Sequence, residues 1–477
     1  VNPNLELMPF QEEGSDLLAK SRRCLLVWDP GTGKTPTAVR GAVKAQTARV
    51  LVFCPPIATG VWRDHFQDWS EYRDIRVYDT RAGIRPFGFM EGQGVRIVAY
   101  SRLREAGVVI KAASKEPWDA VILDECHYLK NPGALRTRGV YGPKIDLAGT
   151  PLASAKHIWA LSGTPILNHA AEFWTHLHAL APDTIILPQL GVMGEGTFTD
   201  RFCHTQQTPY GVRILGSRNS SELADRVKPF ANRKRMRDVL PEMPELRIVE
   251  HPLPADTFIE KELRRELASA ILVPGFTSQD FNDLDDDELL AAVQAGAVGF
   301  STVRRLIGRA KVEGVATLAN DFLEDNEDSK LIVFAHHQEV IRDLADTLKA
   351  HAPLVITGAT AMHVRENHIK EFQNDPKVRL IILAIEAAGE VITLHAAHNV
   401  IIAEPSPVPA KNLQAIARAH RKGQKHPVLA RFVLLPGTLD ARLMSIVARK
   451  TREIAQIVDG APSTKQNVGV DFPEETI

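Results

Sequence analysis

Short apolar, β-rich runs recur at both ends of the chain. Cys24–Trp28, Val50–Cys54, Val95–Tyr100 and Ala120–Leu123 each read as a buried strand, with amphipathic stretches between them. The same rhythm returns at Lys330–Ala335, Leu354–Thr357, Val378–Ala384 and Asn399–Glu404. Strands alternating with helices predict an α/β protein with two parallel-sheet lobes. The middle breaks the rhythm. From His169 to Ala310 the pattern is mainly helical, with loops around Ile186–Thr197 and Gln206–Ser221 and an acidic, solvated stretch at Phe281–Glu288. Trp62 and Trp69, at helical spacing, read as core rather than as stacking platforms. The expected division is a first lobe over 1–168, a mainly helical region and linker over 169–310, a second lobe over 311–459 and a patternless tail over 460–477.

Composition narrows the function classes. The 477 residues suit two or three domains, and 57 Lys+Arg against 58 Asp+Glu leave the chain almost neutral. Any basic surface must therefore be local. Cys24, Cys54, Cys126 and Cys203 are scattered with no C-x-x-C pair, which argues against zinc and against a disulfide framework. No apolar run is long enough to span a bilayer, so no membrane partner is expected. Val1–Asn4 does not read as a signal peptide, and the missing initiator Met implies that a few residues precede it. The expected setting is a reducing interior: the cytoplasm of a bacterial or phage-infected cell, or a eukaryotic nucleus. The sequon Asn219-Ser220-Ser221 is there a chance match.

The first strand leads into Asp29-Pro30-Gly31-Thr32-Gly33-Lys34-Thr35. A strand, a Gly-rich turn and Gly-Lys-Thr make a P-loop: Gly31, Thr32 and Gly33 turn backbone N–H groups toward phosphates, Lys34 reaches the outer phosphates and Thr35 ligates Mg²⁺. Trp28 stands where the first Gly of the pattern belongs, and Pro36 suits the first turn of the following helix. The strand Val121–Leu123 ends in Asp124-Glu125-Cys126-His127. Asp124 would hold Mg²⁺, Glu125 would orient and deprotonate water, and His127 could relay the state of the γ-phosphate. Acids at a strand end can also merely cap a helix, and the upstream P-loop argues against that. Late in the chain, Arg418 and Arg421 would share one face if their segment is helical, as cations that neutralise charge in phosphoryl transfer. A solvated basic helix is the plainer reading of those two residues alone.

Taken together and in this order, the segments resemble the Swi/Snf-type DNA translocases of helicase superfamily two. Met8–Gly14 looks like the element in which a glutamine, here Gln11, recognises adenine; Asp124–Asn131 looks like motif II. Leu161-Ser162-Gly163-Thr164-Pro165-Ile166-Leu167-Asn168 looks like motif III, whose Ser162 and Thr164 would couple hydrolysis to DNA movement. Gln414 and the run Arg418–Gln424 look like motif VI, and Gly389 lies in a motif V-like stretch. Lys330–His337, Ile356–Thr360, Ile392–Leu394 and Phe198–Cys203 are similar to the annealing-helicase (HepA-related) branch. The resemblance covers about residues 5–455. It implies two RecA-like lobes with helical protrusions. It also implies a DNA-dependent ATPase using ATP and Mg²⁺ and acting on double-stranded or forked DNA; a monomer in solution is expected.

Three positions depart from the family pattern: Val391 replaces a glycine beside Glu390, Pro407-Val408 replaces a Trp-Asn pair, and Ala417 replaces an acid. They put the coupling of DNA to hydrolysis in question while leaving the catalytic residues intact. Leu147–Pro151 mimics motif III and reads as a surface insertion. A motor that reads no sequence needs phosphate contacts. Polar groups after strand ends are the candidates: Ser101, His336, His337, Thr357, Gly358 and Thr393, with the two histidines open to a purely structural reading. The basic run Arg226–Arg237 is a weaker candidate, either a solvated face or a brace. Two other functions compete with the translocase: a strand-separating helicase or restriction-type motor, and a nucleotide-dependent DNA clamp that hydrolyses poorly.

Overall fold

The computed structural model describes residues 5–78, 86–104, 107–187, 191–208, 211–254, 298–389 and 392–459, with isolated positions between 286 and 293. They fall into two compact units, Val1–Pro241 with Gln456–Gly460, and Glu242–Ala455. No helix among them is long and apolar enough to cross a membrane.

The first unit contributes β1 (Arg23–Trp28), β2 (Arg49–Cys54), β3 (Ile75–Val77), β4 (Gly94–Ala99), β5 (Ala120–Asp124), β6 (His157–Ser162), β7 (Ile186–Leu187), β8 (Gly191–Val192), β9 (Cys203–Thr208), β10 (Gly211–Ser217) and β11 (Ala231–Lys234). Seven form one sheet in the order β11-β1-β6-β5-β2-β4-β3, parallel throughout. Leu25, Leu26, Val50–Cys54 and Ala120–Leu123 are fully buried, as expected for strands covered on both faces. The order sets β6 between β1 and β5, so Val27 pairs with Ser162 and Leu161 with Asp124. Three chemically loaded strand ends thus share one edge of the sheet, the edge where parallel sheets bind ligands.

The second unit holds β12 (Leu246–Pro252), β13 (Leu331–Ala335), β14 (Leu354–Ile356), β15 (Leu380–Ala384), β16 (Asn399–Ile402) and β17 (Val428–Leu434) in a parallel sheet ordered β12-β17-β16-β13-β15-β14. Its core is built on Leu331–Ala335, Leu380–Leu383 and Val400–Ile402.

Among its described residues the middle segment combines helices, such as Ser220–Val227 and Val298–Ala310, with strands that the sequence pattern did not suggest: an edge strand in each sheet and two antiparallel ribbons, β7 with β8 and β9 with β10. Strand β11 reads Ala231-Asn232-Arg233-Lys234 and is held by backbone pairing rather than by an apolar face. Strand β17 escapes the apolar-run criterion because Arg431, bonded to Asn399 Oδ1 at 3.0 Å, interrupts it. Finally, the loop mimicking motif III is no surface insertion. Leu147, Thr150 and Leu152 are buried, and Leu147 N donates to Tyr141 O at 2.7 Å.

Candidate functional site

The P-loop turn between β1 and helix α2 (Lys34–Lys44) depends on two glycines with positive φ, Gly31 at 87° and Gly33 at 83°. A Cβ on Gly33 would lie 2.3 Å from Gln11 Nε2 and would displace that carboxamide. Gln11, on helix α1 (Pro9–Lys20), donates to Thr32 O at 2.8 Å and accepts from Met8 N at 2.9 Å. The predicted adenine reader and the phosphate loop are therefore one hydrogen-bonded unit. Trp28, in place of the expected glycine, is an anchor. It is fully buried, its indole donates to Asn232 Oδ1 at 2.8 Å, and it packs on Phe10. Lys34 Nζ donates to Trp28 O at 2.8 Å and to Asp29 O at 3.3 Å. Thr35 is half-buried in the first turn of α2.

Strand β5 ends in the carboxylates. Trp62, on helix α3 (Ala58–Trp69), donates its indole N–H to Asp124 Oδ2 at 2.8 Å, and Glu125 N donates to Oδ1 at 3.0 Å. Both oxygens are thereby oriented. Sequence reading placed Trp62 in the core and missed this role; its only signal was an indole N–H that, once buried, needs an acceptor. Glu125 adopts the left-handed region at φ 45°, a conformation a non-glycine residue holds only when its surroundings impose it. Ser162 Oγ, at the end of β6, donates to Glu125 Oε2 at 3.1 Å and accepts from Thr164 N at 3.1 Å. His127 Nδ1 lies 3.2 Å from Ser162 Oγ and 3.2 Å from Glu125 Oε2. Motifs II and III thus meet in a triangle. Burial first, and the Glu125 charge second, raise the Asp124 carboxyl above the ordinary range. Burial works on Glu125 in the same direction, but His127, Lys34 and Ser162 outweigh it and hold that carboxyl low. A Cβ on Gly163 would meet Pro30 Cδ at 3.0 Å, so motif III packs directly on the P-loop.

In the second unit, Arg418 and Arg421 do not share a helix face. The helix Pro409–Ile416 ends before them and they lie in the turns that follow, because Gln424 knots that segment. Gln424 Nε2 donates to Ala397 O at 2.8 Å and to Ala419 O at 3.1 Å, while its Oε1 accepts from Lys425 N and His426 N. Leu394 N donates to Arg418 O at 2.8 Å and Arg421 Nη1 to Ile392 O at 3.2 Å, so Thr393 sits between two clips to motif VI. Burial lowers the Arg421 pKa, and no carboxylate among the described residues pairs with it. Gln414 is half-buried on the helix and Gly389 closes the short turn Ile385–Gly389; Glu390 and Val391 lie outside the described residues.

The candidate DNA residues separate. Ser101 and Gly358 are exposed just after β4 and β14, and Thr357 is bound to Thr360 Oγ1 through its own N–H at 2.9 Å. His337 is partly buried and engaged by an acid. Its Nδ1 lies 2.7 Å from Glu404 Oε1, and the N–H groups of His336 and His337 both donate to Glu404 Oε2 at 2.9 Å. His336 Nδ1 lies 2.9 Å from Glu386 Oε1. The basic run is largely a brace: Arg226 pairs with Glu222, Arg233 with Asp29 of the P-loop, Lys234 with Glu13 and Arg235 with Asp238.

Residues 11–257 match the SNF2-related domain, and residues 313–423 match the helicase conserved C-terminal domain. Over 470 residues the chain is 26% identical to the DNA annealing helicase and endonuclease ZRANB3 of Bos taurus, covering 95% of this chain and 41% of that one. It is 28% identical to the SWI/SNF-related matrix-associated actin-dependent regulator of chromatin subfamily A-like protein 1 of Xenopus tropicalis, covering 94% and 45%. The homolog of that protein from Caenorhabditis elegans is 29% identical, covering 96% and 63%. The chain therefore spans about half the length of these relatives. The Sulfolobus solfataricus SWI2/SNF2 ATPase core in complex with dsDNA aligns over 99% of this chain and 98% of its own, at 18% identity and a TM-score of 0.43.

Proposed function

Because this chain belongs to the SNF2-related family of helicase-like ATPases, we propose that it hydrolyses ATP and converts the hydrolysis into movement along double-stranded or forked DNA. Fork repair, DNA remodelling or strand annealing would be its use, the last in keeping with the similarity to the DNA annealing helicase ZRANB3. The observation that carries the reading is the Glu125–Ser162–His127 triangle beside a P-loop.

In this reading the backbone of Gly31, Thr32 and Gly33 cradles the phosphates, and Lys34 exchanges its carbonyl partners for phosphate oxygens. Gln11 reads the adenine, and its bond to Thr32 O would tie base recognition to the loop. Asp124 and Thr35 hold Mg²⁺. The buried Asp124 carboxylate and the Thr35 hydroxyl are the hard oxygen donors such an ion takes, and it would supply charge neutralisation on the phosphates. Glu125 accepts the proton of the attacking water, and its low pKa keeps it ionised for that task. Arg418 and Arg421 neutralise charge developing on the transferred phosphoryl group; a desolvated guanidinium without a carboxylate, as at Arg421, favours an anionic partner. Ser162, Thr164, His127 and Gln414 couple the nucleotide state to DNA. Ser101, His336, Thr357, Gly358 and Thr393 meet DNA phosphates.

The test is ATP hydrolysis without DNA and with single-stranded, duplex and forked DNA, at low and moderate salt. Duplex or forked DNA should stimulate turnover strongly, and salt should weaken the effect. ATP binding without stimulation by any DNA would sink the translocase and leave the clamp.

A further inference from the structure

Glu172 belongs to none of the motifs above, yet it accepts from four donors among the described residues. It is 7% exposed and lies just before the helix Trp174–Leu180. Its Oε2 accepts from Leu167 N at 2.7 Å and from Asn168 N at 2.9 Å, the last residues of motif III. Its Oε1 accepts from Asn168 Nδ2 at 2.7 Å and from Lys130 Nζ, at the exit of motif II. Three residues on, the buried Thr175 donates to Leu129 O at 2.9 Å. Four donors fill the acceptor capacity of one buried carboxylate. Burial would raise its pKa, but Lys130, with help from His169 and Asn168, holds it below the ordinary range.

The motif III loop is therefore fastened at both ends to motif II. Ser162 binds Glu125 and His127 at the start, and Glu172 binds Lys130 at the finish. A loop pinned at only its first end could move without shifting the Cys126–Leu129 turn; pinned at both, the two segments move as one body. We propose that Glu172 is a positioning residue that keeps motif III in register with motif II, and so transmits the nucleotide state into DNA-stimulated turnover. The proposal rests on the ATPase reading above. Glu172 touches no reacting atom, and its effect passes through the loop.

The two oxygens allow a selective test. In Glu172→Gln the side-chain oxygen can still accept from Leu167 N and Asn168 N, while the new NH₂ faces two former donors, the Lys130 ammonium and the Asn168 carboxamide, of which only the carboxamide can turn an acceptor toward it. Steady-state ATP hydrolysis is measured with and without duplex DNA for wild type, Glu172→Gln, Lys130→Met and the double variant. The ATP KM should stay within about twofold and the DNA-stimulated kcat of Glu172→Gln should fall at least about fivefold. The double variant should recover only to about the level of Lys130→Met alone, because removing the ammonium removes the conflict without restoring the link. An equal loss with and without DNA, or intact stimulation with only a lowered thermal midpoint, would overturn the proposal. Should Glu172→Gln fail to fold, Lys130→Met alone decides, since that lysine is 25% exposed and its removal leaves the carboxylate its other donors. Its stimulation should fall about threefold, and unchanged stimulation overturns the proposal. Absent stimulation in the wild type would instead sink the ATPase-motor reading, and this inference with it.

Discussion

The candidate residues of the two units differ in charge and in how they are placed. At the carboxyl edge of the first sheet, β1, β6 and β5 end in a glycine-rich turn, a serine and two acids, and every acid oxygen of Asp124 has a donor. In the second unit, the acid at the end of β16, Glu404, is taken up by His337 and two backbone N–H groups. Arg418 and Arg421 lie beyond the following helix, clipped to Leu394 and Ile392 in the segment that leads into β16. The proposed phosphate and water contacts thus sit at strand ends, and the proposed cations sit in turns held by loop groups. Each set is held by a different device: indole and hydroxyl donors in the first unit, and the carboxamide of Gln424 in the second. The contrast teaches that sheet order places one set of residues and long-range side-chain bonds place the other.

The largest effect should come from Glu125→Gln, which preserves shape and removes the proton acceptor. Turnover should fall about 10³-fold or more, with ATP binding retained in a fluorescent-nucleotide titration. Near wild-type turnover would move the catalytic acid elsewhere. Arg421→Ala, in the second unit, should retain ATP binding and lose about 10²-fold of DNA-stimulated turnover. Unchanged stimulation would reduce that arginine to structural charge and erase the contrast. Trp62→Phe keeps the ring and deletes the donor to Asp124, so half-maximal turnover should need about tenfold more Mg²⁺. An unchanged Mg²⁺ requirement would show that the indole only packs.

The smallest effect is on stability in acid. His176 is buried, with Nδ1 2.9 Å from the Tyr141 hydroxyl, and burial pushes its pKa down to about 3. The unfolded chain, near the ordinary 6.5, binds the proton first. Stability is therefore complete above that value and declines as pH falls toward the folded value, by at most about 1.4 kcal/mol per pH unit. Thermal midpoints from pH 7 to 4 should show the slope in the wild type and a flatter one in His176→Asn.

Much of the first edge was legible in sequence. Gly31, Gly33, Lys34 and the Asp124-Glu125 pair carry their chemistry in residue type and local spacing, and the strands that present them are continuous apolar runs. The arginines of the second unit were less so. Arg418 and Arg421 suggested a helix face by spacing, and the turn they occupy is dictated by the distant carbonyls that Gln424 binds. His337 matched a motif and proved to be packed on Glu404, a partner 67 residues away.

By itself, then, the sequence determined the α/β alternation, the phosphate loop, the carboxylate pair and the family, because each rests on short-range periodicity or on residues adjacent in the chain. The tertiary structure alone decided that β6 lies between β1 and β5, that Trp62 steers Asp124, that Ser162 joins Glu125 to His127, and that polar strands from the middle of the chain complete both sheets. Those facts depend on pairing between segments far apart in sequence. Backbone hydrogen bonds and the burial of polar groups choose such partners by geometry, and no local pattern encodes that choice.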